Sequence, residues 1–112
     1  MKLMTEEIAK QIPALRESEG TTDPMAYCKF FTPDSNWTWY AMEYDEGSGD
    51  CFGYVVGLEA EYGYFNLNEL EEIKGPLGLR IERDIHFVPT PVKEIEEMWK
   101  LNRYGLDTNR IN

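Results

Sequence analysis

The run Trp37-Thr38-Trp39-Tyr40-Ala41-Met42-Glu43-Tyr44, the turn Asp45-Glu46-Gly47-Ser48-Gly49-Asp50 and the run Cys51-Phe52-Gly53-Tyr54-Val55-Val56-Gly57-Leu58 decide the fold. Both runs are rich in aromatic and β-branched residues. Side chains alternate across a strand with a period of two. Trp37, Trp39 and Ala41 then share one face, and Thr38, Tyr40, Met42 and Tyr44 the other. In the second run Phe52, Tyr54, Val56 and Leu58 share a face. Gly53 and Gly57 lie opposite them, the mark of a bulge or of a close overlying element. The intervening turn is dense in acids and glycine, so the two runs read as an antiparallel hairpin.

Working outward, Met25–Thr32 alternates in the same way. It is joined to the hairpin by Thr32-Pro33-Asp34-Ser35-Asn36, a cluster of turn formers. Tyr62–Phe65 reads as a fourth, short strand and Ile85–Val88 as a further one. Helices are expected at three places. Thr5 caps a short one carrying Ile8 and Ile12, stopped by Pro13. Asn66, with Glu69 three residues on, starts a second, whose buried side is Leu67, Leu70 and Ile73 and whose stop is Gly75-Pro76. Thr90-Pro91 starts a third with the stripe Val92, Ile95, Met98 and Trp99, ending at Tyr104-Gly105. The expected architecture is α+β: an antiparallel sheet of about four to five strands, with about three helices packed at one face or end. The 112 residues suit a single domain, with Leu106–Asn112 a frayed tail.

The formal net charge is −10. All of it comes from one block. Between Phe30 and Ile73 there is no lysine, arginine or histidine, whereas acids and bases balance elsewhere. The block holds Asp34, Glu43, Asp45, Glu46, Asp50, Glu59, Glu61, Glu69, Glu71 and Glu72, together with most of the aromatics. One reading is solubility, with acids at loop ends and rings in the sheet. The other is a binding surface for a basic partner protein, formed by Glu43, Asp45, Glu46, Asp50, Glu59 and Glu61 beside an aromatic surface of Trp37, Trp39 and Tyr40. In its sharpest form the carboxylates imitate the phosphate spacing of DNA. Negative charge disfavours direct nucleic-acid binding, and the apolar runs are far too short for a membrane span.

No catalytic or cofactor motif emerges, and no cofactor is expected. His86 is a lone histidine, so a multi-histidine metal site is excluded. A small hydrolase-like site would need Glu82, Asp84 and His86 to converge. Asp45, Glu46 and Asp50 do not have the spacing of a calcium-binding loop. Cys28 and Cys51 are too few for a secreted disulfide scaffold and read as buried apolar residues of a cytoplasmic protein. A monomer or weak dimer is expected; a homo-oligomeric structural protein is the third reading.

Cys28-Lys29-Phe30-Phe31-Thr32-Pro33-Asp34-Ser35-Asn36-Trp37-Thr38-Trp39-Tyr40 carries a resemblance. Gly63-Tyr64-Phe65, Glu69-Leu70, Gly75-Pro76-Leu77-Gly78-Leu79, Ile81-Glu82-Arg83-Asp84 and Phe87-Val88-Pro89-Thr90-Pro91 extend it. Together they resemble an uncharacterised bacterial domain-of-unknown-function family, family 2958, over about residues 1–95. The resemblance implies a setting on plasmids, conjugative elements and phages. It brings no catalytic residues. Small acidic proteins of mobile elements often act against host defences, so the resemblance favours the accessory-protein reading by association.

Overall fold

A computed structural model of the chain describes residues 2–103. The elements are α1 (Glu6–Gln11), β1 (Met25–Ala26), β2 (Cys28–Phe31), β3 (Thr38–Tyr44), β4 (Asp50–Val56), β5 (Ala60–Asn66), α2 (Leu67–Glu72), β6 (Glu82–Arg83), β7 (Thr90–Pro91) and α3 (Val92–Arg103). Five strands form one antiparallel sheet in the order β5-β4-β3-β2-β6, and β1 pairs with β7 in a second, two-stranded sheet. The expected α+β class with an antiparallel sheet and three helices is therefore present. The expected helix stop at Tyr104-Gly105 and the tail Leu106–Asn112 lie outside the described residues.

The helices divide between the two faces of the sheet. On one face Leu3, Ile12, Leu67 and Leu70, from the α1 and α2 segments, pack on Cys28, Phe30, Trp39, Ala41 and Cys51. On the other face Val92 and Ile95 of α3 pack on Ala26, Tyr40, Met42, Tyr54 and Val56. Both cysteines are free and buried, as expected. Burial pushes the Cys28 thiol up to about 12 and the Cys51 thiol up as well, so neither is a nucleophile at neutral pH.

Local signals account for the helix starts. The Thr5 hydroxyl accepts from Ile8 N at 3.1 Å. The Asn66 side chain accepts from Asn68 N at 2.9 Å and Glu69 N at 3.2 Å, so asparagine fills the cap that Ser or Thr more often fills. Ile73, expected to be buried, caps the C-terminus of α2 and is exposed. Thr90-Pro91 precedes α3 as expected, but these two residues pair with Met25–Ala26 as strand β7.

Two further expectations fail for identifiable reasons. Ile85–Val88 is not a strand; it is a loop in which Ile85 and Val88 are exposed. The Asp84 carboxylate accepts from His86 N at 2.9 Å, and Phe87 N donates to Asp84 O at 3.2 Å, closing a turn where a ladder was expected. The face alternation of β3 also breaks. The pairing with β4 shifts between Ala41 and Glu43, so Ala41 faces Gly53 while Glu43 faces Phe52. This bulge turns Tyr44 onto the Trp39 side and Glu43 onto the side of Tyr40 and Met42. Gly53 makes it sterically accessible: a Cβ there would stand 1.8 Å from the Tyr40 carbonyl oxygen. Gly57 marks a close overlying element, for its Cβ would stand 2.3 Å from the Trp37 ring.

Candidate functional site: the acidic block, the β5 edge and the β2–β6 groove

Half of the acidic block is consumed by the fold. Glu43 is only 3% exposed. Its two carboxylate oxygens accept from Arg16 N at 2.7 Å, from Ser18 N at 3.1 Å and from the Ser18 hydroxyl. Glu43 is therefore an anchor for the loop after α1 and not a member of an acidic surface. The bulge is the cause, because it points the side chain under that loop. Asp34 accepts from Leu77 N at 2.8 Å and Leu79 N at 3.3 Å. Glu71 accepts from Leu3 N at 2.9 Å, and Asp50 from the Asn66 side-chain amide at 2.9 Å. Asp45 closes its turn by accepting from the Ser48 hydroxyl at 2.6 Å and Ser48 N at 3.0 Å. Those two bonds, the hydroxyl first, hold the Asp45 carboxyl below the usual range.

The remaining acids, Glu46, Glu59, Glu61, Glu69 and Glu72, are exposed. They do not form one row. Asp45 and Glu46 lie in the β3–β4 turn and Glu59 in the β4–β5 turn at the opposite end of the sheet. Glu61 is on β5, and Glu69 and Glu72 are on α2.

The expected aromatic surface also changes membership. Tyr40 is core: the residue is 1% exposed, its ring centre lies 5.9 Å from that of Phe87, and its hydroxyl accepts from Trp99 Nε1 at 3.0 Å. Trp39 is buried against α1 and α2. Trp37 stays partly exposed, stacked on Trp39 at 5.9 Å. Trp39 and Tyr40 lose their surface role because both sheet faces carry a helix layer; Trp37 keeps an exposed ring. Among the described residues the exposed rings are Trp37, at 40%, and Tyr62 and Tyr64 on β5, at 43% and 65%. The two tyrosines flank Phe52, with ring centroids 6.2 and 5.1 Å away. Tyr62 also donates its hydroxyl to Glu96 of α3. Burial, and then that bond, push the Tyr62 phenol upward. The alternation of the fourth strand puts both tyrosines on one face. That this strand is a sheet edge depends on strand order, which short-range patterning does not carry.

At the opposite edge, Glu82, Asp84 and His86 do line one open groove of about 640 Å³, together with Phe31, Thr38 and Lys29. No local sequence signal marks Lys29. It is buried, with Nζ 3.8 Å from Asp84 Oδ2 and 6.0 Å from the centre of the Tyr40 ring. Burial lowers its pKa and the Asp84 carboxylate partly restores it. Glu82 and His86 are exposed, and Asp84 is tied to the turn and to Lys29. Among the described residues, no cluster of three His, Cys, Asp or Glu side chains can hold a metal ion. Among them also, no helix is long and apolar enough to cross a membrane.

No curated protein and no solved structure matches this chain. A family model matches residues 3–98, which contain every element described above except the last turn of α3. The chain therefore belongs to the family described as protein of unknown function (DUF2958).

Proposed function

We propose that this chain is a non-enzymatic binding or accessory protein, of a mobile genetic element, that acts on a basic partner protein. One observation carries the reading: the exposed Tyr62 and Tyr64 stand on an edge strand inside a block with no base from Phe30 to Ile73. Interfaces favour tyrosine anchors, and complementary charge speeds encounter and excludes wrong partners. The contact residues are then Glu59, Glu61, Tyr62 and Tyr64; Glu43 is not among them. A DNA-like decoy needs a row of carboxylates. The exposed acids occupy both ends of the sheet, so the proposal rests on the β5 side and not on phosphate imitation.

The test is capture of partners from host lysate by the immobilised protein, followed by affinity measurement with the captured protein. Glu59→Gln with Glu61→Gln is expected to weaken binding about tenfold or more at low salt, and raised salt to erase that difference. Binding indifferent to both changes and to salt would sink the reading. A second reading, a small hydrolase-like enzyme, is supported by the shared groove of Glu82, Asp84, His86 and Lys29. Hydrolysis of a model ester or phosphoester that Asp84→Asn and His86→Ala both remove would favour it.

A further inference from the structure

The β5 backbone has a defined open side. Two bonds at the ends of the β4–β5 ladder fix its phase: Leu67 N donates to Gly49 O and Gly57 N to Glu59 O, each at 2.9 Å. Between them the register runs unbroken from Asp50↔Asn66 to Val56↔Ala60. Hydrogen-bonded and non-bonded pairs alternate along an antiparallel ladder. Cys51↔Phe65, Gly53↔Gly63 and Val55↔Glu61 are thus the bonded pairs. The N–H and C=O groups of Ala60, Tyr62 and Tyr64 point away from β4, where the sheet order has no further strand among the described residues.

Native edges are commonly blocked by proline, lysine, a bulge or a very short strand. β5 has none of these over its seven residues. Its charge is negative only, from Glu61 and the preceding Glu59. Tyr62 and Tyr64 therefore offer both open backbone groups and exposed rings at the same positions.

We propose that β5 accepts an extended, basic segment of the partner protein as a sixth strand. This deepens the basic-partner reading and rests on it. Backbone pairing to Tyr62 and Tyr64 holds the segment. Alternate arginine or lysine side chains lie along the tyrosine rings, where cation–π contact and the apolar stem both contribute. The others meet the Glu61 side. A second copy of the chain is a poorer occupant, because each copy carries a net charge of −10.

The probe is a labelled peptide of about ten residues alternating arginine and valine, read by fluorescence anisotropy with the intact protein. Its control carries N-methyl groups on two adjacent central residues, which blocks both peptide edges and keeps the charge. The control is expected to bind at least about tenfold more weakly. Tyr64→Pro removes an outward N–H and no ladder bond; it is expected to weaken binding at least about tenfold more than Tyr64→Thr, which loses the same ring and keeps that N–H. Equal binding of the peptide and its methylated control overturns strand addition and leaves the basic-partner reading standing. No binding of either peptide at low salt overturns both. Sedimentation as a dimer that Tyr64→Pro disperses would make a second copy the occupant and overturn the proposal. The methylated-peptide arm does not depend on whether the proline variant folds.

Discussion

Gly53→Ala is expected to lower the melting temperature by more than about 12 °C. The added methyl would stand 1.8 Å from the Tyr40 carbonyl oxygen and 3.2 Å from the Ala41 Cα. Both are backbone atoms of the neighbouring strand, so no side-chain rotation relieves the clash. Either the two central strands separate or the bulge at Ala41/Glu43 is lost, and with it the position of Glu43. Overpacking a well-filled site costs about 1–3 kcal/mol, and a clash against backbone belongs at or above the top of that range. Gly63→Ala is the control. It pairs with Gly53 on the next strand but has open space at its Cβ. It should change stability by less than about 0.5 kcal/mol. Equal, small shifts for both variants would mean that the bulge does not require Gly53.

Glu43→Ala is expected to cost about 3 kcal/mol in urea unfolding, with Glu43→Gln recovering little of it. Hydrogen bonds to a charged group contribute about 1.5–3 kcal/mol, and a buried donor left without its partner carries a desolvation penalty. The carboxylate is matched to donors on both oxygens: Arg16 N faces one, Ser18 N and the Ser18 hydroxyl the other. A glutamine has one acceptor oxygen, and its amide N–H groups would meet a donor already present. The anchored loop includes Arg16 in the left-handed region at φ 73°, which the Glu43 bond helps to hold. Both variants should therefore expose the segment from Ala14 to Gly20 to limited proteolysis. Wild-type stability in Glu43→Gln is what a solvent-facing, purely solubilising carboxylate would give.

Strands β2 to β5 were legible because period-two alternation and turn chemistry are local; the two-residue β6, Glu82–Arg83, is too short to carry either signal. Thr5, Asn66 and Pro13 likewise announced the ends of the short helices. What could not be read was set by partners distant in sequence. Glu43 counts as a negative charge in the chain, yet the fold uses it as a backbone acceptor for residues about 25 positions earlier. Gly53 was the visible trace of the bulge, but which residue the bulge would turn inward depended on the β3–β4 register. Trp39 and Tyr40 lie on opposite faces of β3, so helices on a single side would bury only one of them; two helix layers bury both. Tyr62 and Tyr64 were legible as neighbours on one face and became a candidate site only through strand order. Lys29 and Asp84 are 55 positions apart, and nothing local pairs them.

The proposed partner is recognised on the β5 side of the sheet. The most direct measurement is a backbone amide chemical-shift titration of the labelled protein with the arginine–valine peptide. The largest changes are expected on Glu59 to Asn66, strongest at Tyr62 and Tyr64, spreading to Phe52 and Tyr54 next to them. Changes centred on Lys29, Glu82, Asp84 and His86, or on the Asp45–Asp50 turn with β5 silent, would contradict it.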